Sequence, residues 1–168
     1  MGCGKSSVGK ALSELLGFKH VDLDSYVEHK TDRSIREIFA SDGEEYFRAV
    51  ELEALRDVVI MSQVTSEDVV ISLGGGTPLI QDAARILREQ TFCIWLQTSP
   101  ECILERLSGY DAAKGRPLLD GAGKKEIEEM ISLREPHYKA VCANVVCTDG
   151  LTSAATAAII KGILPGGE

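Results

Sequence analysis

A glycine-rich segment at the start of the chain has the residue types needed to hold phosphate groups. It reads Gly2-Cys3-Gly4-Lys5-Ser6-Ser7 and is followed at once by apolar residues at helical spacing. Glycines let backbone N–H groups turn inward around a phosphate, and a helix N-terminus adds a favourable partial charge. The segment matches the second half of the P-loop motif G-x-x-x-x-G-K-[ST], in which the lysine contacts the terminal phosphates and the hydroxyl binds Mg²⁺. It therefore predicts nucleotide and magnesium binding by Lys5 and Ser6.

This motif is incomplete, because its first glycine would lie before Met1 and the strand that precedes a P-loop is absent. In such folds that strand lies inside the sheet, so its loss would leave two neighbouring strands with unpaired backbone groups. Each buried unpaired group costs roughly 1–3 kcal/mol, against a total stability of about 5–15 kcal/mol. We therefore expect a chain that is truncated at its N-terminus and lacks its first strand.

Two carboxylates come at the end of the next strand-like run, Phe18–Leu23. Asp22 and Asp24 stand where ligands of α/β sheets bind, at the carboxyl end of a strand. Alternation along an extended segment would place both carboxylates on one side. Beside a magnesium–nucleotide site, one carboxylate suits the waters of the metal and the other suits a hydrogen bond from an attacking hydroxyl. Helix capping is the alternative role for Asp24.

Three arginines and a triple glycine complete the candidate residues. Gly74–Gly76 directly follow a strand-like run, which suits close approach of the backbone to a ligand. Arg48 lies on a predicted helix, Arg116 in the sequence Arg-Pro-Leu-Leu, and Arg134 further along the chain. Guanidinium groups grip a planar carboxylate with paired hydrogen bonds, although each arginine taken alone is typical of a solvated surface.

Short apolar runs alternate with helical periods and predict the elements that position these residues. Four runs are rich in β-branched or aromatic residues and read as strands buried on both faces, namely Phe18–Leu23, Val69–Leu73, Phe92–Leu96 and Val141–Cys147. Two apolar stripes have helical spacing, the first with Val8, Leu12, Leu15 and Leu16, the second with Phe47, Val50, Ala54, Val58 and Met61. Three helix starts are predicted, at Ser34 with Glu37, at Asp42 with Glu45, and at Ser99-Pro100.

The alternation of strands and helices predicts an α/β fold, a parallel sheet flanked by helices. No linker divides the 168 residues, so we expect a single domain over residues 1–168. Residues 108–124 are glycine-rich and charged, and they read either as a surface loop or as a mobile lid.

Composition excludes several classes of protein. With 44% hydrophobic and 26% charged residues, the chain is neither disordered nor membrane-spanning. A formal net charge of −8 disfavours nucleic-acid and anionic-membrane surfaces, so positive charge must be concentrated in one site. The five cysteines form no CxxC pair, which indicates reduced thiols in a cytoplasmic protein.

The motifs taken together resemble the shikimate kinase family. They run in the family's order from Met1 to about Asp149, and the Asp-x-Asp, Phe-Arg, triple-glycine and Arg-Pro-Leu-Leu series is far more specific than the P-loop half. The matching segments are Met1–Ser6, Asp22–Asp24, Ser34–Phe39, Gly43–Arg48, Ser72–Gly76, Arg116–Leu119 and Arg134–Tyr138.

The resemblance implies a P-loop kinase that transfers phosphate from ATP to the 3-hydroxyl of shikimate, in aromatic amino-acid biosynthesis. It implies that Asp24 faces the attacking hydroxyl, that Arg48 and Arg134 hold the shikimate carboxylate, and that Gly74–Gly76 contact the substrate. Lys5, Asp24 and Arg116 are the implied catalytic residues, with Arg116 swinging in on the lid.

The resemblance also implies a nucleotide site and its metal. Mg²⁺ would be bound by Ser6 and, through water, by Asp22, with Ser72 in support. The segment 149–152 would lie near the adenine. The residues that the resemblance assigns to ATP are Gly2, Cys3, Gly4, Lys5, Ser6, Ser7, Arg106 and Arg116.

Two alternatives stay open at this point. A different small-metabolite P-loop kinase, such as a gluconate kinase, would share the phosphate machinery and differ in its acceptor contacts. A truncated, non-catalytic relative would bind nucleotide without transferring phosphate. The lid, extended through Tyr110–Lys114, is a few residues longer than is usual in the family. We expect a cytoplasmic monomer whose partners are shikimate and ATP, with no nucleic acid and no membrane.

Overall fold

The computed structural model describes residues 3–108 and 124–165, apart from the side chains of Leu107 and Ser108. The predicted lid at 108–124, including Arg116, therefore falls almost wholly outside the described residues. The strands are β1 (Lys19–Asp22), β2 (Val69–Ser72), β3 (Ile94–Gln97) and β4 (Asn144–Cys147). The helices are α1 (Lys5–Leu16), α2 (Leu23–Thr31), α3 (Ile35–Ser41), α4 (Gly43–Thr65), α5 (Gln81–Gln90), α6 (Pro100–Ser108), α7 (Lys124–Val141) and α8 (Ser153–Ile163), with a 3₁₀ turn at Thr77–Leu79.

All four strands form parallel pairs, so the predicted α/β class is confirmed. β1 pairs with β2, and Val21 lies opposite Ile71. β3 pairs with β4, and Leu96 lies opposite Val146. The predicted strand from Val141 is too long at its start, because Val141 is the last residue of α7 and packs in the core from there. The single-domain prediction for residues 1–168 stays a prediction.

The sheet is divided into two halves by an apolar cavity of about 680 Å³. We call this space the inter-sheet cavity; its walls include β2 and β3 along their whole length, together with residues of α1 and α7. Within the part of the chain that the structure covers, no strand pairs with the edges of β2 and β3 that face this cavity. The facing edges of β2 and β3 are thus open.

The prediction that the strands are buried on both faces is wrong. Most residues of β1, β2 and β3 are only half-buried, and single residues such as Lys19 and Gln97 are exposed. The physical reason is the inter-sheet cavity, which leaves β2 and β3 without a neighbour on one side. Apolar side chains that a complete sheet would cover are therefore in contact with solvent.

Two apolar clusters hold the helices onto the half-sheets. The first lies between α4 and α2, where Ala54, Leu55 and Val58 pack against Leu23 and Val27. The second joins the two halves of the sheet, because α1 packs against both α8 and β2. Its buried members are Val8, Leu12, Val146, Ala157 and Ile160.

Each predicted helical stripe includes one residue that is exposed. Leu15 on α1 and Met61 on α4 are 44% and 48% exposed. Leu15 lies outside the packed face of α1, because its neighbour Leu16 is the residue that contacts the second apolar cluster, and Met61 lies near the C-terminus of α4. The remaining apolar residues of the stripes are buried, apart from Leu16, which is half-buried.

All three predicted helix starts are confirmed, since α3, α4 and α6 begin directly after Ser34, Asp42 and Ser99, but the capping contacts differ. Ser34 and Glu37 form a reciprocal capping box at the start of α3, as predicted. Ser99 caps α6 by accepting a hydrogen bond from the Cys102 N–H at 3.3 Å. The capping box predicted at Asp42 is wrong, since Asp42 precedes α4 without a capping hydrogen bond from its side chain. Its carboxylate is instead an ion-pair partner of Arg33.

Candidate active site

The glycine-rich segment turns directly into α1, as the P-loop motif requires. Gly4 has a φ of +83°, a left-handed conformation that favours glycine, and Lys5 is the first residue of the helix. The Lys5 ammonium donates to Cys3 Sγ at 3.6 Å, and the Ser6 hydroxyl donates to the carboxylate of Asp22. Burial is the largest influence on the pKa of the Cys3 thiol and would raise it, but the nearby positive charges, that of Lys5 first, and the hydrogen bonds from Lys5 together lower the pKa. Gly2 lies outside the described residues.

A buried hydroxyl on β2 fixes the start of α1. Ser72 Oγ donates to the carbonyl oxygen of Lys5 at 3.1 Å and lies 2.9 Å from Nε2 of His20. A Cβ on Gly9 would overlap Ser72 Oγ, so only glycine allows α1 to lie this close to the strands. Sequence reasoning missed His20 and Gly9, although a glycine inside a helical stripe is a recognisable signal of close packing.

Three predicted substrate residues converge on the triple glycine, although they come from three different helices. A Cβ on Gly74 would lie 3.2 Å from Asp24 Oδ1, and a Cβ on Gly75 would lie 3.0 Å from Arg134 Nη1. A Cβ on Gly76 would overlap the terminal nitrogens of Arg48. Side chains of α2, α4 and α7 therefore meet around one short loop, which we call the glycine loop (Gly74–Gly76).

The two carboxylates do not lie on an extended segment, so that prediction is wrong. Asp22 ends β1 and caps α2 by accepting a hydrogen bond from the Ser25 N–H at 3.2 Å, whereas Asp24 lies in the first turn of α2. The helix begins there because Asp22 satisfies one of its free N–H groups. Ser6 and Asp22 nevertheless lie side by side, and Asp24 reaches the glycine loop.

The pKa of Asp24 is raised above its usual value. Partial burial is the main cause, and the negative charges of Asp22 and Glu51 add to it, while Lys5 acts in the opposite direction. The Asp24 side chain is nonetheless exposed to solvent by surface area. Because water reaches the carboxylate, we expect it to be ionised at neutral pH and able to accept a hydrogen bond.

Arg48 is held by two carboxylates and an aromatic ring. Its Nη1 donates to Glu51 at 2.7 Å and its Nη2 to Glu44 at 2.9 Å, and its guanidinium lies 5.2 Å from the centroid of Phe47. Although burial acts to lower the pKa of Arg48, the two glutamates raise it. Glu51 is 1% exposed and also accepts a hydrogen bond from Thr77 Oγ1 at 2.6 Å. Arg48 is therefore fixed in direction, and its side chain is only 22% exposed.

Arg134 shares its helix with a tyrosine that contacts the glycine loop. The Tyr138 hydroxyl donates to the carbonyl oxygen of Gly75 at 2.7 Å, and burial raises the pKa of this hydroxyl. Tyr138, Glu51 and Thr77 were not predicted as site residues. Glu51 carried a usable signal, because it is an acid three residues after Arg48 on the apolar side of a helix. Tyr138 stood in the matching segment Arg134–Tyr138 without a role assigned to it, and Thr77 carried no signal.

Arg106, the predicted adenine contact, lies at the carboxyl ends of β3 and β4. Its Nη2 donates to the Thr148 carbonyl oxygen at 2.9 Å and its Nη1 to Thr148 Oγ1 at 3.3 Å. Asp149 accepts the Ser99 N–H at 3.0 Å and thereby joins the loops that follow the two strands. Ser7 is exposed on the first turn of α1, and Arg116 lies outside the described residues.

The oxygen atoms near the phosphate-binding segment suit a magnesium ion. Ser6 and Asp22 offer one hydroxyl and one carboxylate, and Mg²⁺ binds such oxygen ligands together with waters and substrate phosphates. In residues 3–108 and 124–165 there is no cluster of three or more histidine, cysteine or acidic side chains placed to hold a metal by themselves. The same residues include no helix with the length and apolarity needed to cross a membrane.

Comparison with known proteins agrees with this geometry. The family model for shikimate kinase matches residues 1–164. The shikimate kinase of Moorella thermoacetica is 40% identical over 164 residues, which is 98% of this chain and 90% of that protein. The shikimate kinase of Dictyoglomus turgidum is 37% identical over 87% of this chain and 81% of that protein.

Solved structures give the same result. A shikimate kinase from Bacteroides thetaiotaomicron superposes with a TM-score of 0.84 at 28% identity, over 97% of this chain and 93% of that one. A shikimate kinase from Acinetobacter baumannii, solved in complex with shikimate, superposes with a TM-score of 0.84 at 28% identity, over 98% and 91% of the two chains. The chain therefore belongs to the shikimate kinase family.

Proposed function

We propose that the glycine loop is the floor of the shikimate site of this kinase and that Lys5 and Ser6 hold the phosphates of ATP beside it. The observation that carries this proposal is the convergence of Asp24, Arg48 and Arg134 on three consecutive glycines. Positive guanidinium groups and one carboxylate around the same short loop match a ring acid that also bears hydroxyls. The family activity, phosphorylation of shikimate, is thus assigned to named atoms.

The two arginines bind the shikimate carboxylate. Arg48 and Arg134 approach the glycine loop from α4 and α7, and each presents terminal guanidinium nitrogens to it. A guanidinium offers two parallel N–H donors, which match the two oxygens of a carboxylate. The carboxylate in turn fixes the orientation of the ring, so that one hydroxyl faces the phosphate donor.

Asp24 accepts a hydrogen bond from the 3-hydroxyl and orients it for attack on the terminal phosphorus. Its carboxylate lies beside Gly74, and the positive charge of Lys5 acts to lower its pKa. The shikimate hydroxyl and the phosphates of ATP would therefore be bound near one another. Phosphoryl transfer passes through a loose transition state in which positioning and charge neutralisation matter more than early proton transfer. Asp24 therefore positions the hydroxyl and takes its proton late.

Charge on the phosphates is neutralised at the start of α1. Lys5 reaches the β- and γ-phosphates, while the backbone N–H groups after Gly4 and the helix N-terminus bind the phosphate oxygens. Ser6 and, through water, Asp22 would hold Mg²⁺, which supplies positive charge to the same oxygens when bound. Arg116 would add a further positive charge from the lid.

The phosphoryl donor, the metal, the cellular compartment and the oligomeric state are proposed from the family. ATP is the phosphoryl donor and Mg²⁺ its metal, and the enzyme acts as a cytoplasmic monomer on small molecules. Gluconate fits this site less well than shikimate, because gluconate lacks the ring that the glycine loop and the paired arginines would orient.

The test is release of ADP with shikimate or gluconate as acceptor, measured on the purified chain and on Arg48→Ala. We expect turnover with shikimate alone, and for Arg48→Ala a rise in the shikimate KM of about 10²-fold or more with the ATP KM unchanged. Arg56→Ala is the matched control, because Arg56 lies on the same helix and pairs with Asp82 at the surface. Turnover of gluconate alone, or an unchanged shikimate KM in Arg48→Ala, would overturn the proposal.

A further inference from the structure

Two of the five cysteines have their sulfur atoms in contact. Cys93 directly precedes β3 and Cys142 directly follows α7, and their Sγ atoms lie 3.0 Å apart although 49 positions separate them in the chain. Cys3, Cys102 and Cys147 make no such contact with another cysteine. All five are free thiols in this structure.

The contact lies where the residue before β3 meets the residue after α7. Two positions after Cys93, the ring of Trp95 lies 5.6 Å from the ring of Tyr138, and Tyr138 lies four positions before Cys142. Residues two apart on an extended segment, and residues four apart on a helix, point the same way. The ring contact therefore lies next to the thiols, and both cysteines also pack against the first apolar cluster, which keeps the sulfur atoms near one another.

Both thiols can be reached by a small molecule, and they differ in proton affinity. Cys93 and Cys142 are half-buried and line the inter-sheet cavity. A hydrogen bond from Cys142 lowers the pKa of the Cys93 thiol, whereas the same interaction raises the pKa of Cys142. Cys93 is thus the thiol that becomes the nucleophilic thiolate, with Cys142 placed as its resolving partner.

We propose that Cys93 and Cys142 form a reversible disulfide in this protein, with a small-molecule disulfide such as oxidised glutathione as the oxidant. The Cys93 thiolate attacks one sulfur of the oxidant and releases one glutathione thiolate, which leaves a mixed disulfide on Cys93. Cys142 then loses its proton, attacks the Cys93 sulfur and releases the second glutathione. Two protein thiols are oxidised, one disulfide is reduced to two thiols, and the two cysteine protons end on the released glutathione.

The bond would tie β3 to the end of the helix that carries Arg134 and Tyr138. It closes a loop from residue 93 to residue 142, which constrains the unfolded chain and raises stability. The sulfur atoms are 3.0 Å apart and a disulfide bond is about 2 Å long, so they approach by only about 1 Å and α7 needs little movement when the bond forms. We therefore expect a rise in Tm of about 5–10 °C and kinetic constants for shikimate and ATP that stay within about twofold.

The experiment treats the full chain with oxidised glutathione and maps its cysteines by peptide mass spectrometry without reduction. We expect one cross-linked peptide that contains Cys93 and Cys142, with the Tm rise reversed by dithiothreitol. Cys142→Ser should hold a stable glutathione adduct on Cys93 and lose the Tm rise. Cys102→Ser and Cys147→Ser are the matched controls and should form the cross-link as the parent chain does.

Separate glutathione adducts on Cys93 and Cys142 of the parent chain, or a cross-link to Cys3 or Cys147 in their place, would overturn the proposal. If a serine variant folds poorly, the parent chain alone still tests the proposal. Its cross-linked peptide and the reversal of its Tm rise by dithiothreitol can both be measured without any substitution. Cys142→Ala provides a second, apolar replacement that keeps the half-buried site free of a new hydroxyl.

Discussion

Arg48 and Glu51 lie one helical turn apart on α4, and their ion pair connects the glycine loop to the core. Arg48 Nη1 donates to Glu51 Oε2 at 2.7 Å, and the other carboxylate oxygen of Glu51 accepts from Thr77. A Cβ on Gly74 would lie 2.6 Å from the same carboxylate. A buried acid that contacts both the arginine and the loop sets the position of each relative to the other.

We therefore predict that Glu51→Gln weakens shikimate binding and leaves ATP binding unchanged. The variant loses the charge that directs Arg48, so we expect kcat/KM for shikimate to fall by about 10–10²-fold and the free energy of unfolding by about 1–3 kcal/mol. Steady-state kinetics with each substrate varied, together with urea unfolding, measure both effects.

Glu44→Gln is the matched control for Glu51→Gln. Glu44 pairs with the same guanidinium at 2.9 Å, but its side chain is 61% exposed. An exposed pair contributes at most about 1 kcal/mol, so this variant should behave like the parent chain. Equal effects of the two variants would mean that Glu51 acts only as one of two interchangeable counter-charges.

The glycine loop gives a second prediction. Gly76 has a φ of −94°, which any L residue adopts, yet a Cβ there would overlap the Arg48 guanidinium. In Gly76→Ala the backbone is therefore unstrained and the arginine must move. We expect the shikimate KM to rise about tenfold or more, with the ATP KM unchanged.

Gly162→Ala is the control for this alanine substitution. A Cβ on Gly162 has no neighbour within 4 Å, and the residue lies near the end of α8. Replacing a helical glycine by alanine stabilises by at most about 1 kcal/mol and should leave the kinetics unchanged. An unaltered shikimate KM in Gly76→Ala would show that Arg48 can move without loss of binding.

Sequence reasoning predicted the parts that depend on local pattern. The Ser34–Glu37 capping box is a contact between residues three apart, and the P-loop half is set by consecutive residues, so both could be read directly. Asp42 had the same local pattern, but its carboxylate pairs with Arg33 nine positions earlier. A competing tertiary partner cannot be seen in a four-residue pattern.

The sequence predictions that were wrong or missing concern contacts between a helix or strand and its neighbours in space. Val70 and Ile94 are β-branched and apolar, which predicts full burial, yet both line the inter-sheet cavity and are half-buried. Thr77 gave no signal, because its role arises only from its hydrogen bond to Glu51 on another helix. The arrangement of Asp24, Arg48 and Arg134 around one loop came from the family resemblance, not from periodicity.

Asp24 gives a prediction for stability as a function of pH. Its pKa in the folded protein is raised above the usual value by burial and by Asp22 and Glu51. A raised folded pKa means that the wild-type carboxylate favours folding when protonated and loses this contribution as pH rises through that pKa. Asp24→Asn cannot ionise, so its Tm minus the wild-type Tm should be larger at pH 7 than at pH 4.

The effect on Tm should be small, because solvent reaches Asp24 and screens the neighbouring charges. Turnover should nevertheless fall about 10²-fold, since the amide no longer accepts the proton of the attacking hydroxyl. Asp68→Asn removes an equal charge from an exposed position elsewhere. If both variants change Tm in the same way with pH, the cause is net charge and not the site.

The open edges of β2 and β3 lead to a prediction about adding a strand. Ser72 at the carboxyl end of β2 contacts the start of α1, so a segment joined to the N-terminus enters the inter-sheet cavity from that end and would run parallel to both strands. An apolar, β-branched extension of about five residues, followed by glycine, offers backbone partners to both edges. We expect it to raise the free energy of unfolding by about 3–5 kcal/mol and to strengthen ATP binding.

The control for the added strand is the same extension with proline at its central position. Proline has no N–H to donate and is excluded from the middle of a sheet, whereas its apolar surface is similar. Urea midpoints and the ATP KM of the two proteins separate strand pairing from simple burial of apolar surface. Equal stabilisation by both extensions would mean that any apolar segment is buried in the cavity. The facing edges of β2 and β3 would then not pair with a fifth strand.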